Sequence, residues 1–353
     1  MSISKVFWVI SLISLQFSLA NCYSTKGLVP ALYVFGDSTV DAGNNNNLNT
    51  VAKANNFPYG IDFNNCSTGR FSNGKTFADL IAIKLGLPMP PPYIGVSTTE
   101  RYQITLGMNY ASGSCGILNS TRNGECLSLE KQVEYFTSTV MNDLPRNLQS
   151  KTKLRHYLSK SIFLLSTGSN DYILNYFKQE MGKNKMINPE EFADYLIDQL
   201  GSNIKKIYDL GGRKFVIIGL GPIGCIPGFI TKKPHTQECN EVINQVVNLF
   251  TNKLPRKLQE LKLKAKLSGS LFTIFDSFKL FRKIQNSPEN FGLTNIWDSC
   301  VGEGGIPCEN RKEYYFYDFA HSTEAVNEIF ANKCFGGRHI CFPMNIEKLV
   351  HAH

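Results

Sequence analysis

The sequence predicts an α/β fold in which a parallel sheet carries helices on both faces. Four short apolar runs have strand character: 31–37 (ALYVFGD), 161–167 (SIFLLST), 214–220 (KFVIIGL) and 271–276 (LFTIFD). Long helix-period stretches separate them, among them 129–143 (LEKQVEYFTSTVMND) and 189–211 (PEEFADYLIDQLGSNIKKIYDLG). Strands alternating with helices form crossovers that make neighbouring strands parallel and bury the sheet from both sides. In such sheets ligands bind beyond the carboxyl ends of the strands. Polar residues follow directly after the apolar runs, so that is where chemistry is sought.

Taken in chain order, Lys5 precedes an apolar run from Val6 to Ala20, with small residues Ser18 and Ala20 in cleavage positions. This reads as a secretory signal peptide, residues 1–20, cleaved near Ala20 to Cys22. The run is short for a membrane span, and no later stretch approaches the roughly 20 apolar residues that one requires. Residues 21–353 then form one secreted domain, since no linker, repeat or low-complexity tract divides them. Ten cysteines in an oxidising compartment favour disulfides, with Cys225/Cys239, Cys300/Cys308 and Cys334/Cys341 as loop staples. Loss of Cys22 with the signal peptide would leave one thiol unpaired. Two sequons, at Asn65 and Asn119, predict a glycosylated surface.

A net charge of +8 raises the question of nucleic acid, but the basic residues are scattered and the chain is routed out of the cell. Their densest run, from Lys253, places Leu254, Leu258, Leu261 and Ala265 at helical spacing, which predicts a solvated helix face. Gly69 to Thr76 (GRFSNGKT) matches the phosphate-loop pattern, which cradles phosphate only between a buried strand and a helix. The preceding FPYGIDFNNCST is no such strand, so the glycines are turn residues leading into a helix after Asn73 or Gly74. GLGPIGC, at 219–225, follows a proper strand, but Pro222 and Pro227 continue it as a loop and offer no helix N-terminus to a dinucleotide. No nucleotide partner is expected. The six histidines show no metal-ligand spacing, and His351 and His353 read as a frayed tail.

Ser38 closes the first strand, Asn170 follows the second, and Asp318 and His321 stand just ahead of a helix opening at Ser322 or Thr323. A serine, a histidine to take its proton and a carboxylate to fix the histidine tautomer form a nucleophile system. A spacing of three lets the Asp318 carboxylate turn back onto the imidazole. Singly, each residue has an ordinary structural reading as a turn or cap. Their order and their strand-end positions together are more specific.

The blocks YVFGDSTVDAGNNN, TGRFSNGKTFADLIA, GMNYASGSCGIL, STGSNDYILNYF, IIGLGPIGCIP and YDFAHSTEAVN span essentially the whole mature chain. In that order the sequence resembles the plant branch of the GDSL esterase/lipase family, the SGNH hydrolases. The resemblance implies a three-layer α/β/α, flavodoxin-like parallel sheet. It implies Ser38 as nucleophile, His321 as base and Asp318 as its orienter. It further implies an oxyanion hole from the Ser38 N–H, the Gly113 N–H and the Asn170 side chain. Thr39 stands where the family name has leucine, Ser322 replaces a proline common after the histidine, and the segment around Val301 lacks cysteines of many relatives. None of these removes a catalytic group, and no G-x-S-x-G elbow occurs.

The function expected on that resemblance is hydrolysis of carboxylic esters through an acyl-Ser38 intermediate, with no metal or organic cofactor. The substrate would be a small-molecule, lipid or acylated-polysaccharide ester. An acyltransferase with the same triad would differ only in the dryness and shape of its pocket. A non-catalytic ligand-binding protein of the cell surface is a third reading, against which the intact Ser38, Gly113, Asn170, Asp318 and His321 weigh.

Overall fold

In the computed structural model, residues 27–178, 188–233 and 236–352 are described, without the side chains of 231–237 and of 303. The expected signal peptide and Cys22 lie outside them. The central sheet contains β1 (Leu32–Gly36), β2 (Gly107–Asn109), β3 (Ile162–Ser166), β4 (Lys214–Ile218), β7 (Leu271–Phe275) and β10 (Cys341–Phe342); the short β5 (Thr231–Lys233) and β6 (Thr236–Glu238) make a separate hairpin. The sheet order is β10-β7-β4-β3-β1-β2, parallel except for β10, which pairs antiparallel with β7. A second small sheet pairs β8 (Asn295–Ser299) with β9 (Tyr314–Phe316).

Strand periodicity sorts the core into two layers. Tyr33 and Phe35 of β1, Phe163 and Leu165 of β3, and Phe215 and Ile217 of β4 face one side. There they meet α2 (Leu129–Ser138), α3 (Lys151–Lys160), α4 (Pro189–Asp209) and α5 (Glu241–Lys264). Leu32, Val34, Ile162, Leu164 and Val216 face the other side. Against them pack α1 (Phe77–Lys84), α6 (Ser277–Asn286), α7 (Glu324–Phe335) and α8 (Ile346–His351). Alternate side chains point to opposite faces, so β1, β3 and β4 carry apolar residues at most positions and are buried on both sides.

The basic run in α5 buries Leu254 and Leu258, and its Lys253 and Lys257 pair with Glu190 and Asp194 of α4. The C-terminus corrects the expected frayed tail at His351, while His353 lies outside the described residues. Its His351 ends α8, and the preceding Val350 carbonyl accepts a hydrogen bond from the buried Lys214 ammonium at 2.7 Å. The three expected disulfides form, and Cys115–Cys126 is a fourth; Cys66 is exposed and free.

Candidate active site

β2 lies on one side of β1, while β3, β4 and β7 lie on the other. The reversal leaves a crevice between the carboxyl ends of β1 and β3, where ligands of open α/β sheets bind. Ser38 sits there because the chain turns sharply after Gly36. A Cβ on Gly36 would stand 2.1 Å from the Ser166 carbonyl oxygen, and its φ of +151° lies where side chains are strained. The Gln132 amide seals the turn by accepting the Gly36 N–H and donating to its carbonyl, both at 2.8 Å. Asp37, buried, accepts the Thr39 N–H and hydroxyl at 3.0 and 2.7 Å. Thr39 also bonds Ser166 at 2.9 Å.

Ser38 Oγ lies 2.7 Å from His321 Nε2. On the other side of the ring, Nδ1 lies 2.9 and 2.8 Å from the two oxygens of Asp318. Asp318 Oδ1 also accepts the N–H groups of Ala320 and His321, each at 2.8 Å, which is the turn-back that the spacing of three predicts. Burial by itself would raise the Asp318 carboxyl, but the charge and hydrogen bonds of His321 and the backbone N–H groups hold it below its ordinary value. Burial opposes charge on His321 as well, and Asp318, with a further contribution from Asp37, nevertheless lifts the imidazole above 6.5.

Asn170 lines the same crevice and donates one Nδ2 proton to the Cys115 carbonyl at 2.8 Å. A primary amide has two such protons, so one remains for a ligand. The next residue, Asp171, faces away and accepts the N–H groups of Ile117 and Leu118 and the Thr121 hydroxyl. Burial pushes its carboxyl up to about 6. The Ser38 N–H has no hydrogen-bond partner among the described residues.

Gly113 departs from expectation. Its N–H donates to Asp41 Oδ2 at 3.0 Å and is not a free donor in this geometry. The cause is Asp41, fully buried, which also accepts the N–H groups of Gly43 and Asn44 at 2.7 and 2.8 Å. Burial pushes this carboxyl up to about 6 against the pull of those three bonds.

The phosphate-loop look-alike braces the histidine loop. Ser72 Oγ donates to the Ser322 carbonyl at 3.2 Å, and Asn73 Oδ1 accepts the Glu324 N–H at 2.8 Å. Lys75 pairs with Glu324 at 2.8 Å, and its carbonyl accepts from Asn327. Thr76 caps α1 by a reciprocal bond with Asp79, so the lysine and threonine of the pattern are both engaged by protein. The Phe71 ring lies 5.0 Å from that of His321. These bonds also hold Ser322, where the resemblance had a proline. Sequence reasoning assigned Ser72, Asn73 and Phe71 no part in the site; the one signal was their place in the TGRFSNGKTFADLIA block.

A cavity of about 180 Å³ opens beside Ser38. Val40, Phe77, Phe275, Phe281, Phe316 and Phe330 line its apolar side, and GLGPIGC, which the structure turns through a single 3-10 turn at Ile223–Cys225 where a plain loop was expected, supplies Leu220, Pro222 and Ile223. Among the described residues the one group with metal-ligand geometry is Cys225, Cys239 and Glu241, and its two cysteines form a disulfide.

Residues 32–334 match the model of the GDSL-like lipase/acylhydrolase family. The chain belongs to that family. Its relatives include two GDSL esterase/lipases of Arabidopsis thaliana. One is 37% identical over 94% of this chain and 88% of its own length. The other, GDSL esterase/lipase 7, is 38% identical over 92% of each chain. Membership of the GDSL family makes the protein a carboxylic ester hydrolase with a serine hydrolase ancestry. No described helix is long and apolar enough to cross a membrane.

Proposed function

We propose that this GDSL family member is a secreted serine esterase working through Ser38, His321 and Asp318. The unbroken line from Ser38 Oγ through the imidazole to Asp318, with contacts of 2.7 and 2.8 Å, carries the reading. His321 Nε2 takes the hydroxyl proton as Oγ attacks the ester carbonyl. The same proton then passes to the leaving alkoxide, giving an acyl-Ser38 and a free alcohol. Water, deprotonated by His321, attacks the acyl carbon, and the acid leaves with Ser38 regenerated. Asp318 holds Nδ1 protonated and stabilises the imidazolium in both halves.

The Ser38 N–H and the second Nδ2 proton of Asn170 are the oxyanion donors. Gly113 joins them only by sharing the proton that it gives to Asp41. The apolar cavity takes the acyl group. At about 180 Å³ it is a little larger than the roughly 150 Å³ that accommodates benzene in an apolar cavity, so a short acyl chain or one ring fits beside Ser38. Four disulfides among the described residues support an oxidising destination. Asn65 and Asn119 are exposed and open to glycosylation.

The test is turnover of acetyl, butyryl, octanoyl and palmitoyl p-nitrophenyl esters by the wild type and Ser38→Ala, with an alcohol present. Wild-type turnover that falls by about 10⁶ in Ser38→Ala is expected, with short acyl groups preferred and activity rising as His321 loses its proton above pH 6.5. Mostly new ester in place of acid would make it an acyltransferase. No turnover and no labelling of Ser38 by a fluorophosphonate would make it a binding protein.

A further inference from the structure

Residues 57–76 contribute one side chain that reaches the relay itself. The Tyr59 hydroxyl donates to Asp318 Oδ2 at 2.8 Å, across a sequence separation of 259. We propose that Tyr59 is a positioning residue of the proton relay, fixing the Asp318 oxygen that receives no backbone N–H from the histidine loop. The proposal rests on the triad reading above.

An ionised carboxylate has about four acceptor sites. The two turn N–H groups of Asp318 both go to Oδ1. Without Tyr59, Oδ2 has only the imidazole that it is meant to orient, and the carboxylate can turn about its last torsion. Tyr59 closes that freedom because it is itself held. Its ring stands edge-on to Phe71 and Tyr317, with centroids 6.0 and 5.8 Å away. Its carbonyl accepts the Ser67 hydroxyl at 2.7 Å, and the carbonyl of Pro58 accepts the Tyr317 hydroxyl at 2.6 Å. Tyr59 is not among the residues lining the cavity, so it acts through Asp318 and not on substrate.

The donated proton also draws charge from the carboxylate. Losing it leaves Asp318 more negative, favours the imidazolium and moves the acid limb of activity to higher pH. The charged groups around the relay are few. Asp318 and, from the end of β1, Asp37 act on His321. Tyr317 lies beside Asp318, and beyond it Asp62 and Arg311 are paired at 2.7 Å. Burial, followed by the Asp318 charge, raises the Tyr59 hydroxyl, so it remains a donor across the working range.

The experiment is the pH dependence of kcat and KM for the full chain, wild type against Tyr59→Phe, with a butyryl ester. Expected are a fall in kcat of about tenfold, as for a lost bond to a charged group, an unchanged KM, and an acid limb about half a unit higher. Replacing Tyr59 by 3-fluorotyrosine, a stronger donor on the same ring, should move the limb the other way. Superposable profiles and equal kcat in an enzyme that Ser38→Ala silences would overturn this inference alone, as would a loss confined to KM. A wild type without turnover or Ser38 labelling would overturn the triad reading and this inference with it.

Discussion

The two halves of the proposed catalytic constellation are held by different kinds of structure. Ser38 and Asn170 stand at the ends of adjacent parallel strands, whose register pairs Gly36 with Ser166. Asp318 and His321 stand on a loop between β9 and α7, outside the central sheet, and are held by side chains from residues 57–76. The strand-end half is positioned by the core, so disturbing it threatens the fold. The loop half is positioned by individual hydrogen bonds worth about 1 kcal/mol each, so disturbing it misaligns the relay in a protein that still folds.

The most severe break is Gly36→Ala. With the added Cβ 2.1 Å from a backbone oxygen that cannot yield, it should cost about 4 kcal/mol or more. Urea denaturation should show a large fall in midpoint or no soluble protein; a stable, active variant would mean that strand packing does not place Ser38.

Asn170→Ala separates chemistry from scaffold within the strand-end half. Loss of the proposed oxyanion donor should reduce kcat by about 10²–10³, with a melting temperature near that of the wild type. A loss below tenfold would mean that the oxyanion rests on Ser38 and a shared Gly113 proton.

The finest probe is Ser72→Ala, which removes one brace on the Ser322 carbonyl. Stability should fall by about 1 kcal/mol and kcat by a few-fold, with KM unchanged. If kcat stays constant while stability falls, the 57–76 segment is scaffold only, and the contrast between the two halves fails.

The strongest parts of this picture were legible in the chain. The strands at 31–37, 161–167, 214–220 and 271–276 form within two residues of the apolar runs that predict them, because a strand covered on both faces of a sheet is apolar at most positions. β2 and β10 were not legible. Gly107–Asn109 and Cys341–Phe342 are three and two residues long, too short to show a period, and they pair only because a neighbouring strand offers an edge. The Asp318 to His321 contact was legible because it closes within one turn of chain.

The sequence by itself therefore determined four of the six strands of the sheet, its two covered faces, the strand-end serine and asparagine and the local Asp-His turn. Each depends on side-chain periodicity or on residues close in the chain. Only the tertiary structure decided where the Gly113 N–H goes, what the GRFSNGKT stretch does and which side chain outside the histidine loop holds Asp318 Oδ2. Those are hydrogen bonds between groups separated by 72, 250 and 259 residues. A donor's partner at that range is set by which elements pack together, and no spacing along the chain encodes it.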